Sequence, residues 1–119
     1  MNPINLKEKF ALFSEYWTPK KIVELNGQQV LLAKLKGAFV WHTHAHEDEL
    51  FLVYKGTLII EFRDKKVTLN EGEMYVIPKG VAHKPIAEEE VHVLLFEPLQ
   101  IQHTGDIVTP RTVTNFETI

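Results

Sequence analysis

A chain of 119 residues, 45% hydrophobic and 24% charged, has the length and composition of one globular domain with its own core. Its formal net charge of −3 lacks the excess of basic residues that binds nucleic acid or anionic membranes, so we expect neither partner. The absence of cysteine excludes disulfides and thiolate chemistry, and the single serine, Ser14, lies outside any serine-hydrolase pattern. No apolar leader or membrane-spanning run is present, which predicts a cytoplasmic protein.

The first segment predicts a short helix over about residues 5–17. Apolar residues recur there at helical spacing, namely Leu6, Phe10, Phe13 and Trp17. Asn5 followed by Glu8 is typical of a capping box at the start of a helix, and Pro19 ends the pattern.

From about residue 20 to residue 98 the hydrophobic pattern has a period of two, which is typical of β-strands. The predicted strands are 21–25, 28–35, 38–45, 49–56, 57–64, 66–70, 73–78 and 91–98. Asn26-Gly27 predicts a tight hairpin between the first two, and the acidic run 88–90 predicts a polar turn before the last. The tail over about residues 100–119 has an irregular pattern. Short strands with turns about every ten residues predict an all-β antiparallel sandwich or barrel.

Three histidines alternate in the segment WHTHAHEDELF, which runs from Trp41 to Phe51. Alternate residues of a strand share a face, so His42 and His44 point the same way. Glu49 begins the next predicted strand, which would lie about 4.8 Å away if the two strands are neighbours. Two imidazoles and a carboxylate that converge in this way indicate a transition-metal site.

An alternative is that these side chains are polar residues on an exposed face of the sheet. The same face carries Val40, Phe51 and Val53, which favours an interior position, where unpaired polar groups would be costly. His46 lies in a more loop-like stretch with acidic neighbours, so we do not expect it to be a ligand and place it near the mouth of the site.

These residues resemble the two sequence motifs of the cupin superfamily. The first motif, Gly, His-x-His, Glu and Gly, is matched by Gly37, His42, His44, Glu49 and Gly56. The second motif, Gly, Pro-x-Gly, His and Asn, is matched by Gly72, Pro78, Gly80 and His83, with Ala87 in place of Asn. The gap between the first glycine and the first histidine is one residue shorter than the motif has, but neither departure removes a ligand.

The resemblance implies a single cupin domain over residues 1–119, folded as a double-stranded β-helix, a jelly-roll-like barrel. It also implies one divalent transition metal ion with His42, His44, Glu49 and His83 as ligands. This ligand set suits iron, manganese, nickel, copper or zinc. The sequence is further similar to compact single-domain cupins that are loosely described as mannose-6-phosphate isomerase-like.

Residues that share faces with the ligands are expected to line a pocket beside the metal. They are Val40, Phe51, Val53, Leu58, Ile60 and Phe62, with Met74, Val76 and His92 as further candidates. This apolar wall favours a small apolar or aromatic ligand, although the same side chains could simply fill a small barrel.

We therefore expect a metal-dependent small-molecule enzyme of dioxygenase type. A sugar or sugar-phosphate isomerase or epimerase is one alternative, and a non-catalytic small-molecule binding module is another. Apolar residues also occupy the opposite faces of the predicted strands: Phe39, Trp41, Leu50, Leu52 and Tyr54. Because such a face is seldom left uncovered, we expect the N-terminal helix and a second subunit of a homodimer to cover it.

Overall fold

The computed structural model describes residues 2–99 and 116–119, and in those ranges it has one helix and eight strands. The elements are α1 (Leu6–Phe10), β1 (Lys20–Leu25), β2 (Gln28–Ala38), β3 (Glu49–Lys55), β4 (Leu58–Phe62), β5 (Lys66–Leu69), β6 (Met74–Ile77), β7 (His83–Pro98) and β8 (Glu117–Thr118). This confirms the prediction of an all-β jelly-roll fold with a short N-terminal helix. In the described ranges no helix has both the length and the apolar character needed to cross a bilayer.

The long strand β7 organises the sheet because its two halves pair with different neighbours. Its first half pairs with β4, as in Phe62↔His83, and its second half pairs with β3, as in Leu50↔Phe96. β2 runs antiparallel to both halves, and the strand order is β5-β4-β7-β2-β1-β8 with β3 and β6 beside it. The side chains of β7 at odd positions are buried on both sides of the acidic run, so His83 and the residues near the end of the strand face one interior.

The predicted turn at residues 88–90 is wrong, because β7 continues through this acidic run. Between the pairs Leu35↔Val91 and Gly37↔Ala87, β7 contains three residues and β2 contains one. The additional residues bulge outward, and all three glutamates are exposed. The strand therefore keeps its pairing while the charges remain in water.

The predicted helix over about residues 5–17 is shorter in the structure. Asn5 caps it as predicted, since its Oδ1 accepts a hydrogen bond from the Glu8 amide at 2.9 Å, but the helix ends at Phe10. Beyond it, Tyr16 forms a bridge with Lys34 of β2, and the chain there is not helical. Backbone pairing with the barrel outweighs the local helical periodicity in this segment.

The predicted strand over 38–45 is also absent, apart from the end of β2. One isolated antiparallel bridge, His42↔His83, joins this segment to β7 through two hydrogen bonds of 3.0 Å. The carbonyl of Val40 is engaged by the His42 ring instead of by a neighbouring strand. Of the irregular tail, residues 100–115 lie outside the described residues, whereas Glu117–Thr118 form β8 parallel to β1.

Two apolar clusters lie on opposite sides of the sheet. The main cluster fills the barrel and includes Leu58, Ile60 and Val93, each fully buried. The second cluster lies outside, where Phe10 and Phe13 pack on Leu32 of β2. The N-terminal segment therefore covers part of the outer face, and Phe10 also stacks on Tyr54, one residue of the predicted apolar face, at 5.1 Å between ring centroids.

Gly56, in the turn between β3 and β4, lies close to the backbone of β7. A Cβ atom at this position would lie 2.9 Å from the carbonyl oxygen of Glu90. Its φ of 92° is also one that L side chains rarely adopt. We expect Gly56→Ala to lower the free energy of unfolding by about 2–4 kcal/mol, the sum of conformational strain and overpacking. Gly72→Ala is the matched control, since φ there is 82° with no atom within 4 Å, and it should cost about 1–2 kcal/mol. Urea denaturation of both variants measures the difference, and equal losses would contradict the close approach at Gly56.

Candidate metal centre

Four buried polar side chains converge at one end of the barrel. His42 and His44 lie in the segment after β2, Glu49 is the first residue of β3, and His83 is the first residue of β7. Each is at most 4% exposed. The His42↔His83 bridge and the inward face of β3 place these residues together although they are distant in sequence.

The donor atoms of the four residues all lie within 4.8 Å of one another. The Nε2 atoms of His44 and His83 lie 3.5 Å and 3.9 Å from Oε1 of Glu49. The ring centroids of His42 and His83 are 4.2 Å apart. This spacing is compatible with one shared ion, and His46, which is exposed, is outside the cluster.

Backbone contacts fix the orientation of two of the rings. Nδ1 of His42 lies 3.0 Å from the Val40 carbonyl, and Nδ1 of His83 lies 3.0 Å from the Val81 carbonyl. Because a carbonyl only accepts hydrogen bonds, Nδ1 must carry the proton in both rings. The Nε2 lone pairs are then available as donors to a metal, the arrangement that metal-binding histidines usually show.

The unsatisfied polar atoms at the centre fit a metal ion. Nε2 of His44, Nε2 of His83 and Oε1 of Glu49 are buried, with no hydrogen-bond partner among the described residues. Buried polar atoms without partners are rare because each costs free energy. Three imidazoles and one carboxylate can hold a divalent transition metal, and the set suits iron, manganese, nickel, copper or zinc alike.

The electrostatics favour the protonation states that a metal needs. Burial, together with the neighbouring His83, lowers the pKa of His42 to about 4. Burial also lowers the pKa of His83 below its usual value. Burial alone would raise the pKa of Glu49, but the interaction with protonated Glu97, together with His44 and His83, lowers it to about 2. At neutral pH the centre therefore has neutral His42 and His83 and an ionised carboxylate.

Glu97 is a further acidic residue at this end of the barrel that sequence reasoning missed. It is 1% exposed, and its protonated carboxyl group donates a hydrogen bond to the carboxylate of Glu49. Burial raises its pKa well above the usual value, and the charge of Glu49 raises it further. Glu97 is therefore the protonated member of the pair. The alternation of β7 counted from His83 would have placed it on the inner face.

The Glu97→Gln variant tests the raised pKa of Glu97 through the pH dependence of stability. In metal-free protein Glu97 binds its proton more tightly when folded, so wild-type stability falls as pH rises above 4.5, the ordinary pKa of a glutamic acid. This loss has a slope of up to about 1.4 kcal/mol per pH unit. The variant has no proton to lose at this position. In urea denaturation, its free energy of unfolding should therefore rise relative to that of wild type between pH 5 and pH 8. Glu89→Gln, on the exposed bulge, is the control, and an advantage independent of pH would contradict the assignment.

A small cavity of about 30 Å³ adjoins the ligand cluster. It is lined by Trp17, Pro19, Ala33, Leu35, Phe39, His42, Glu49, Phe51, Pro85, Val93 and Leu95. Its wall is almost wholly apolar, and two metal ligands belong to it. Of the predicted pocket residues only Phe51 lines this cavity, whereas Trp17 and Phe39 are lining residues that the sequence reasoning assigned to the outer face.

The other predicted lining residues fall into two groups. Val53, Leu58, Ile60 and Phe62 are buried in the main core, and Val40 is partly buried against it, so these side chains fill the barrel. Met74 and Val76 are wrongly assigned, because they are 59% and 51% exposed. β6 pairs with β3 through Phe51↔Tyr75 and Glu49↔Ile77, which makes Tyr75 and Ile77 the inward residues.

His92 is also wrongly assigned to the pocket. It occupies an even position of β7 and faces outward, where its ring stacks on Phe10 at a centroid distance of 4.8 Å. Its Nε2 lies 2.6 Å from a carboxylate oxygen of Glu90. It is therefore part of the contact with the N-terminal segment.

Comparison with known proteins agrees with this fold. Residues 28–97, more than half of the chain, match the family described as "Cupin domain". The chain therefore belongs to the cupin family.

Three relatives illustrate the similarity. A cupin-2 domain containing protein from Shewanella frigidimarina is 55% identical, with a TM-score of 0.79 over 80% of this chain and 93% of that one. Protein NMB1881 from Neisseria meningitidis is 38% identical, with a TM-score of 0.75 over 82% of this chain and 99% of that one. The uncharacterized protein YdbB of Bacillus subtilis is 41% identical over 80 residues, or 66% of this chain. That match spans 65% of YdbB, just under two thirds of its length.

Proposed function

We propose that this cupin is a metal-dependent enzyme of dioxygenase type that acts on a small apolar or aromatic substrate. The observation that supports the proposal is the apolar cavity directly beside the four-ligand centre, with Trp17, Phe39 and Phe51 in its wall. Small-molecule sites are usually apolar concavities with a few polar groups that fix orientation. Here those polar groups are metal ligands themselves.

The roles of the residues follow from their positions. A divalent metal held by the four residues would supply Lewis-acid chemistry toward a substrate oxygen or activate dioxygen. Glu49, ionised and at the edge of the cavity, can accept a hydrogen bond from a substrate hydroxyl group and so orient the substrate. The carbonyls of Val40 and Val81 keep two imidazoles in the tautomer that the centre needs. The apolar wall excludes water from the reacting groups.

The cavity lining disfavours the alternative of a sugar-phosphate isomerase. No lysine or arginine lines it within residues 2–99 and 116–119, whereas a phosphate group requires cationic partners. Arg63 lies 3.7 Å from the ring centroid of Trp41, and neither residue belongs to the lining. Arg111 lies outside the described residues.

Oxygen uptake tests the proposal. Iron- or manganese-loaded protein should consume dioxygen when it is given a catechol, a hydroquinone or a small diketone. Carbon–carbon cleavage of such a substrate incorporates both oxygen atoms and needs no added reductant. Glu49→Ala should lower the turnover per equivalent of bound metal as well as the metal content, while His46→Ala should leave both unchanged. No uptake with any substrate, together with anaerobic isomerisation of a sugar phosphate, would favour the isomerase. Thermal stabilisation by a ligand without either reaction would favour a binding module.

We also propose that two copies of the chain associate through the outer face of β3 and β6. This face carries Met74, Val76 and Tyr54, which are 59%, 51% and 39% exposed, beside the partly buried Leu50 and Leu52. Light scattering should give about twice the chain mass of 13.8 kDa. The Val76→Lys variant should shift the mass toward one chain, and a monomeric wild type at high concentration would contradict the proposal.

A further inference from the structure

We infer that Trp17 is a specificity-determining residue, which limits the size of the ligand that can reach the metal centre. The inference rests on the proposed function only in requiring that a small molecule approach the four ligands. It concerns a side chain supplied from outside the barrel strands, by the segment between α1 and β1.

The side chain of Trp17 is buried in the interior of the barrel. Ser14, Glu15 and Tyr16 before it are exposed, whereas Trp17 is 8% exposed and belongs to the main core. Its ring stacks on Phe39, with centroids 4.5 Å apart and an interplanar angle of 8°. The Phe39 ring in turn meets the ring of His42 at 5.5 Å and 85°. The rings of Trp17 and Phe39 thus connect the N-terminal segment to the metal ligand His42.

The backbone and the indole of Trp17 are both held in place. Its φ is 57°, and apart from Asn26 in the β1–β2 hairpin it is the only non-glycine residue with positive φ in the described ranges. The backbone N–H donates to the Lys34 carbonyl at 2.9 Å, and the indole Nε1 donates to the Lys36 carbonyl at 2.8 Å. A strained conformation of this kind persists only where surrounding contacts fix it, and such residues cluster at functional sites. The indole therefore forms a wall of the cavity that two hydrogen bonds hold in place, and its displacement costs free energy.

Because the cavity is small, the position of Trp17 affects which ligands fit beside the metal ligands. A volume of about 30 Å³ suffices for about two water molecules and is too small for a six-membered ring. Trp17 and Phe39 border the same cavity as His42 and Glu49. A catechol or a hydroquinone can reach the metal ligands only by displacing this aromatic pair, so the pair lowers the affinity for ring-sized substrates relative to smaller ones.

The segment has other attachments that would remain if the indole were removed. The Tyr16 hydroxyl donates to Glu90 at 2.6 Å, and the Lys34 ammonium donates to the Phe13 carbonyl at 2.6 Å. Lys20 lies 3.1 Å from a carboxylate oxygen of Glu15. Shortening the side chain of Trp17 should therefore enlarge the cavity without detaching the segment.

The test compares two probes of different size on iron-loaded protein. Azide and 4-nitrocatechol both change the visible absorption of iron on binding, so dissociation constants can be measured without turnover. In Trp17→Ala the affinity for 4-nitrocatechol relative to azide should rise at least about tenfold, a change of about 1.4 kcal/mol. Trp17→Phe should give an intermediate ratio. Trp41→Phe, which changes the other tryptophan outside the cavity lining, should leave the ratio at the wild-type value.

The ratio separates specificity from structure. An unchanged affinity ratio in both Trp17 variants would overturn the inference. An equal loss of affinity for both probes, together with loss of iron, would also overturn it, because it would indicate a purely structural role. If Trp17→Ala does not fold, the intermediate ratio of Trp17→Phe decides the question. A failure of the oxygen-uptake experiment would remove the proposed function and leave the probe ratio intact, so the two failures are distinguishable.

Discussion

The His83→Ala variant should lose most of its bound metal, whereas wild-type protein should carry close to one equivalent of a divalent transition metal. His83 is the completely buried member of the cluster, and its Nε2 has no hydrogen-bond partner among the described residues. Its removal leaves two imidazoles and one carboxylate and opens a gap in the ligand set. Since loss of even an outer-shell partner commonly costs about 10–100-fold in metal affinity, loss of a ligand should cost at least about 100-fold.

Elemental analysis after dialysis measures this loss directly. His46→Ala is the matched control, because His46 lies in the same segment as His42 and His44 but is exposed and outside the cluster. The control should retain the wild-type metal content. Equal metal content in both variants would refute the ligand assignment, and thermal melts with and without a chelator would show whether the metal also stabilises the fold.

Acid should remove both the metal and a substantial part of the stability. The pKa of His42 is about 4 in the folded protein against an ordinary value of 6.5, so between these values the unfolded chain binds a proton that the folded chain does not. Stability from this group is fully present above pH 6.5 and is lost as pH falls from 6.5 to about 4. The shift corresponds to roughly 3 kcal/mol, and the lowered pKa of His83 adds to it in the same direction.

Metal binding follows the same direction because imidazole binds metal only when neutral. We expect occupancy to fall as pH is lowered through roughly 6 to 4, which is below the free pKa because the metal competes with protons. Urea denaturation of metal-free protein and elemental analysis of dialysed protein, each as a function of pH, separate the two effects. Full occupancy at pH 3 would count against this centre, and His46→Ala should follow the wild-type curves.

Local sequence signals predicted much of the fold correctly. The hairpin at Asn26-Gly27 forms as predicted, with positive φ at both residues and the pair Leu25↔Gln28 beside it. Asn5 caps the helix as its side chain and spacing suggest. These features depend on a few neighbouring residues, so local conformational preferences determine them.

The failures occurred where backbone pairing across the barrel outweighed a local pattern. The acidic run 88–90 has the composition of a turn, yet β2 and β4 hold β7 as one long strand around a bulge. Trp17 has helical spacing from Phe13, yet a hydrogen bond to Lys34 draws it into the barrel. Met74 and Val76 were placed on the wrong face, because only the register with β3 decides which residues of β6 point inward.

The sequence by itself determined which residues could form a metal centre. The spacing of His42, His44 and Glu49 predicted three members of the cluster, and the resemblance to the two cupin motifs added His83 after Pro-x-Gly. Only the tertiary structure decided that Trp17 and Phe39 border the cavity and that Glu97 lies beside Glu49. Glu49 and Glu97 are 48 positions apart in the sequence, and Trp17 and Phe39 lie outside the strands. Their contacts therefore depend on how the whole sheet pairs.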